Sequence, residues 1–189
     1  ADIARSQVYY MEGYLAASPS GLDAALQGRA SAKAAGVALA STLSDVSMIN
    51  FCRPGLDAII GDGLSYLFCN EEEAQVWCGT QDLAAICRQI GPLARTVCLT
   101  RGPLGCIVLQ AHRQTSVPAA KVTAVDTNGA GDMFAGAFLY AVTHGHSQAQ
   151  AAWLANQAAA QVVSQHGNRL SRQAMGDIKA RFEQYLQTA

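Results

Sequence analysis

The chain has 189 residues, half of them apolar, with a formal net charge of −1 and only 14% charged side chains. A chain of this size can bury a substantial core, and so little charge excludes a nucleic-acid surface or a polybasic membrane anchor, which leaves a small molecule as the expected partner. The apolar runs are too short to span a membrane, and the N-terminus has no basic start of the kind that begins a secretory signal.

Six cysteines (Cys52, Cys69, Cys78, Cys87, Cys98, Cys106) form no C-x-x-C pair and mostly sit inside apolar segments. That placement predicts reduced thiols in a cytoplasmic protein and no cysteine metal site.

In chain order, Val8 to Leu15 is rich in aromatic and β-branched residues and reads as a strand. A helix follows from a hydroxyl cap near Ser18-Pro19-Ser20-Gly21 to about Ala35, closed by Gly36. Val37 to Leu43 is a short apolar run of the kind found in buried parallel strands, so strand, helix and strand make a βαβ unit. Ser44-Asp45 leads into a looser segment, then a short helix is expected over Pro54 to Ile60 and a strand over Ser65 to Cys69. Asn70-Glu71-Glu72-Glu73 opens a helix to Cys78 as a capping box, which needs no function. It also lies beyond the carboxyl end of a strand, where adjacent acids suit hard cations.

Gln81 to Ile90 reads as a helix, Thr96 to Thr100 as a strand, and Arg101 to Gly105 as a tight turn into Cys106 to Gln110. Arg113 to Pro118 is a further strand. Together these make a small antiparallel piece, within an alternation that otherwise predicts a doubly wound, mostly parallel α/β sheet with helices on both faces. Met133 to Val142 is apolar nearly all round, which predicts a buried helix, with Gly136 permitting close approach of a neighbour. His144 and His146 read as partners of its C-terminus. Ser147 caps an alanine-rich helix to about Gln165, and Ser171 caps the last, whose core stripe is Ile178, Phe182, Tyr185 and Leu186.

The chemistry concentrates at Val125-Asp126-Thr127-Asn128-Gly129-Ala130-Gly131-Asp132. Two glycines one residue apart allow a tight turn with exposed N–H groups, and the helix behind them adds the positive end of its dipole. Phosphate or a developing oxyanion is favoured there, beside an acid, Asp132, able to accept a proton. The same residues also read as a simple turn before a helix. A dinucleotide fingerprint fails because Phe134 stands where its third glycine would be, which weakens a nicotinamide-dependent reading. A Walker A loop fails because no glycine precedes a lysine.

The string Asp126 to Asp132 resembles the D-T-x-G-A-G-D signature of the ribokinase/adenosine kinase (PfkB) family, and Asn128 at the variable position is similar to the adenosine kinase branch. Asn70 and Glu73 resemble the family's N-x-x-E motif, which implies that they help place the Mg2+ that accompanies ATP. Thr100, Gly102 and Gly105 resemble its T-x-G-x-x-G nucleotide loop, although a hairpin alone also explains those residues. Asn156 aligns with a position beside the adenine, ahead of the loop His166-Gly167-Asn168. Asp126 and Ser171 fall where family members surround a monovalent cation such as K+, and Asp126 otherwise ties down the loop.

The resemblance implies a ribokinase-like fold over residues 1–189, as a C-terminal nucleotide-binding portion whose N-terminal half and lid are absent. It further implies ATP-dependent phosphorylation of a hydroxymethyl group of a sugar or nucleoside. Asp132 is then the base, and the N–H groups of Asn128, Gly129, Ala130 and Gly131 form the anion hole. A nucleotide-binding portion inactive by itself is the alternative, and a homodimer would form through the missing lid.

Overall fold

The computed structural model describes residues 2–111 and 113–188. The described residues form seven α-helices and six strands, and the strands follow one another in the sheet in chain order, β1 to β6. The chain divides into two compact units. The first runs to Thr100 and includes Leu109–Gln114; the second holds Arg101–Val108 and everything from Thr115 on.

The first unit is a run of βα repeats. Strands β1 (Val8–Met11), β2 (Ala38–Thr42), β3 (Leu64–Asn70) and β4 (Ala94–Thr100) pair in parallel, with Val8 opposite Ala38, Ala40 opposite Tyr66, and Asn70 opposite Thr100. Parallel neighbours require crossovers, supplied by α1 (Pro19–Ala34), α2 (Val46–Ile60), and the pair α3 (Glu71–Cys78) and α4 (Leu83–Ile90). Because such crossovers are right-handed, successive steps in one direction put these helices on one face, where each touches the next. Leu39, Leu67, Val97, Cys98 and Leu99 are buried along the strands, as continuous apolar runs in a covered parallel sheet should be. Strand β5 (Cys106–Gln110) turns at Ala111 (φ +51°) into β6 (Arg113–Val117), a connection too short for anything but an antiparallel pair.

Two segments differ from the sequence reading by more than a residue or two. The first strand stops at Met11 rather than Leu15, because the chain coils into a 3-10 turn over Gly13–Ala17. A Cβ at Gly13 would stand 2.7 Å from Thr42 O and 2.8 Å from Ser44 Oγ, so that turn fits against the end of β2 only without a side chain. The segment expected to be loose after Asp45 is instead the first half of α2. Asp45 accepts the Met48 N–H at 2.9 Å as an N-cap, and the helix then bends at Cys52 (φ −124°, ψ 21°), two residues before Pro54. Because Cys52 itself is non-helical, two helical stretches meet there, and the second, with Pro54 in its first turn and its end at Ile60, is the short helix expected from the sequence.

The second unit is built on α5 (Ala130–Thr143), α6 (Gln148–Val163) and α7 (Arg172–Thr188). Phe134 and Phe138 lie fully buried on α5 with rings 6.2 Å apart, and α5 packs against α6, where alanines at 151, 152, 155 and 158 keep the helices close. Ser147 and Gln150 form a capping box at the head of α6. On α7, Ile178 and Phe182 are buried and Tyr185 stacks on Trp153 at 4.4 Å with the rings 3° from parallel, which confirms the expected stripe.

The expectation that α5 is buried all round holds for one face only. Phe134, Ala135, Phe138 and Ala141 are covered, whereas Tyr140 is 46% exposed and a Cβ at Gly136 would meet nothing within 4 Å. Gly136 therefore serves no close approach. His144 does meet its helix end, with Nδ1 2.7 Å from Tyr140 O, while His146 lies edge-on against Phe182 at 4.9 Å.

Candidate functional site

Helix α5 begins at the signature. Gly129 is its N-cap in the left-handed region (φ +76°), and a Cβ there would stand 2.5 Å from Asn168 Cβ, so glycine is required both for the turn and for the close pass of the 166–168 loop. That loop and the signature are stitched together. Val125 and Asp126 donate their N–H groups to Val163 O, and the Asp126 carboxylate accepts from Asn128 N–H at 3.0 Å and Gly167 N–H at 3.3 Å. These amides, Asn128 foremost, hold the Asp126 carboxyl below its ordinary range.

This bonding decides which amides are bare. Of the four expected in the anion hole, Asn128 is engaged by Asp126, and Ala130 donates to Thr127 O at 3.3 Å. The N–H groups of Gly129 and Gly131, and that of Asp132, have no partner among the described residues; the ladder proper starts with Met133 donating to Gly129 O. Unpaired N–H groups at a helix start can receive an anion, and Gly131 leaves the approach open because a Cβ there would meet nothing within 4 Å.

Asp132 is exposed at the head of α5 and lines a cavity of about 930 Å³ between α5 and α7. Gly129 and Asn168 line it too, Met133, Tyr140 and Phe182 give it an apolar wall, and Arg172 and Lys179 are basic residues of its lining. Bare amides and a carboxylate thus share one helical turn beside a space large enough for a small molecule.

Within the first unit, Asn70 and Glu73 form a reciprocal pair at the carboxyl end of β3. Asn70 Oδ1 accepts Glu73 N–H at 2.8 Å, while Glu73 accepts Asn70 N–H at 3.1 Å and Asn70 Nδ2 at 2.6 Å. Glu73 is 5% exposed, and burial, with Asp45 and Glu72 adding repulsion, raises its carboxyl pKa above the usual range. A cation nearby would offset what burial costs the charged form of this carboxyl. With both its oxygens already hydrogen-bonded to Asn70, it fits a hydrated divalent ion, reached through water, better than direct ligation. Glu72 is exposed. Among the described residues no group of three or more His, Cys, Asp or Glu side chains is placed to hold a metal. Thr100, paired with Asn70 across β3 and β4, donates its hydroxyl to Cys69 O at 3.4 Å.

Back in the second unit, Gly102 (φ +53°) and Gly105 (φ +88°) frame a turn in which Arg101 N–H donates to Gly105 O at 2.8 Å and Gly105 N–H to Gly102 O at 3.1 Å. Asn156 is 6% exposed and its amide is bound to main chain. Ser171 caps α7, accepting Ala174 N–H on its hydroxyl and Met175 N–H on its carbonyl. The structure thus brings together Asp126, Asn128, Gly129, Gly131, Asp132 and Gly167 in one unit, and Asn70, Glu73 and Thr100 in the other. Two features escaped the sequence reading: the Asp132 N–H as a bare donor, and Asn168 as the residue that forces Gly129.

Sequence and structure together define a class. The chain belongs to the pfkB family of carbohydrate kinases, whose family model matches residues 1–175. It is 30% identical to an adenosine kinase of Schizophyllum commune over 74% of this chain and 45% of that protein. With an adenosine kinase of Saccharomyces cerevisiae it shares 30% identity over 52% of this chain and 35% of that one. Among solved structures, the adenosine kinase of Sinorhizobium meliloti superposes with a TM-score of 0.89 at 31% identity, covering 95% of this chain and 56% of that one. A putative ribokinase II of E. coli, solved with ATP and Mg2+, shares the fold at a TM-score of 0.80, 24% identity, and 95% and 59% coverage. The chain therefore spans less than half the length of the curated relatives it matches. No helix among the described residues is long and apolar enough to cross a membrane.

Proposed function

We propose that this chain carries the nucleotide site and catalytic base of an ATP-dependent kinase that phosphorylates a hydroxymethyl group of a nucleoside or sugar. The observation that carries this reading is the head of α5, where the unpaired N–H groups of Gly131 and Asp132 stand beside the Asp132 carboxylate on the rim of the cavity. Asp132 takes the proton of the acceptor hydroxyl as its oxygen attacks the γ-phosphorus, ADP leaves, and the bare amides hold the charge on the transferred group. Mg2+ bound with ATP would neutralise phosphate charge, with Asn70 and Glu73 ordering its hydration water. Gly102 and Gly105 hold the nucleotide with Thr100, and the Asp126 loop to Ser171 would take K+ through main-chain oxygens. The adenosine kinase relatives favour a nucleoside acceptor.

The test is phosphorylation of adenosine, inosine, ribose and fructose by the full-length gene product, with calorimetric titration of ATP into the 189-residue chain. ATP binding with transfer to one acceptor supports the reading. Binding of NAD in place of ATP overturns it. A second reading, nucleotide binding without turnover, is favoured by the partial coverage of every relative above. It is distinguished by assaying the 189-residue chain beside the full-length product.

A further inference from the structure

We propose that Asn156 is a positioning residue for the 101–105 turn, acting through the backbone at the end of β6 rather than by touching the nucleotide base. The nucleotide part of this inference rests on the kinase reading above; the coupling itself does not.

Asn156 lies in the middle of α6 among buried alanines and Leu154, a place where a polar side chain must be satisfied. Its Nδ2 donates to Val117 O at 3.0 Å and to Pro118 O at 3.1 Å, and approaches Cys106 Sγ at 3.6 Å. Two carbonyl acceptors on one side fix which end of the amide is nitrogen. They also explain the need for it. Strand β6 ends at Val117, and there the carbonyls of Val117 and the following Pro118 both accept from this one side chain, which holds the end of the strand to α6.

The same stretch is the wall against which Gly105 is pressed. A Cβ at Gly105 would overlap Val117 O and stand 2.6 Å from Ala119 N and 2.7 Å from the Pro118 carbonyl carbon. Gly105 in turn closes the turn, accepting Arg101 N–H and donating to Gly102 O. The residue after it, Cys106, is the third group facing the Asn156 amide; its buried thiol, with a pKa pushed up to about 12, stays neutral. A continuous path therefore runs from α6 through Asn156 to Val117 and Pro118, then to Gly105 and the turn. Loss of the Asn156 donor frees the wall, and the turn loosens with it.

The experiment uses the 189-residue chain and the variant Asn156→Ala, with Asn156→Ser, too short to reach both carbonyls, in reserve should the first not fold. Amide hydrogen exchange without nucleotide should show protection at Arg101 and Gly105 falling about tenfold, the scale of one buried hydrogen bond, while Phe138 inside α5 is unchanged. Titration should show affinity for ATP, GTP and inorganic tripolyphosphate falling by one common factor. Unchanged protection at Arg101 and Gly105 overturns the coupling. Weaker ATP binding with tripolyphosphate unaffected overturns it differently, by showing that Asn156 meets the base. Should the unaltered chain bind neither ATP nor tripolyphosphate, the kinase reading falls, and the exchange measurement still decides the coupling.

Discussion

Asp126 and Gly167, 41 residues apart, are joined by a single hydrogen bond of 3.3 Å from the glycine amide to Oδ2. With the Asn128 amide on Oδ1, this bond makes one carboxylate the clasp between the signature and the loop after α6. Because the donors lower its pKa in the folded chain, Asp126 contributes stability that is present above the unfolded carboxylate value and is lost as pH falls through the folded one. Thermal midpoints measured between pH 3 and 7 should fall less steeply for Asp126→Asn than for the unaltered chain. An equal slope would dismiss the clasp.

The two glycines of the signature should answer differently to alanine. Gly129→Ala places a Cβ against Asn168 in the left-handed region and should cost about 1–3 kcal/mol. Gly131→Ala meets open space inside a helix, so the midpoint should hold or rise while phosphate binding weakens, since the methyl group shields the bare amide. Calorimetry and phosphate titration on both variants check the contrast, which disappears if Gly131→Ala binds phosphate as before.

Asp132→Asn keeps the shape of the helix start and removes the proton acceptor. In the full-length product turnover should fall by about 10² or more with ATP affinity nearly unchanged. Turnover within about threefold of the parent would remove Asp132 from the chemistry.

Asn70→Ala removes the cap of α3 and one donor to the buried Glu73 carboxylate, at a cost of about 1–2 kcal/mol. Burial already raises the Glu73 pKa, so what that group contributes is present at low pH and is lost as pH rises through the folded value. Removing a donor to the charged form extends that loss, so the deficit of the variant should be greater at pH 8 than at pH 5. Denaturant titrations at both values test it; a deficit independent of pH would separate the cap from the carboxylate.

Much of this fold can be read along the chain because its signals are local. Ser18, Asn70 and Ser147 cap where hydroxyl and amide side chains should, and Gly36 stops α1 at φ +71°. What escaped depended on neighbours distant in sequence. Pro54 opens its helical stretch as a proline should, but the stretch before it, capped by Asp45 and ended at Cys52, had no such mark. Hydropathy counted the residues of α5 but could not say which face has a partner, so Gly136 was misread. The signature marked the helix start, yet the division of its amides between Asp126, Thr127 and open space is a matter of three-dimensional bonding.

The chain has two tryptophans, and each compact unit holds one. Trp77 lies beneath the Arg53 guanidinium, 3.4 Å from the ring centroid, while Trp153 is stacked flat on Tyr185. Two such unlike surroundings give two separate emission signals. Replacing either indole with phenylalanine would leave a chain in which the glow of the remaining one follows the melting of its own half.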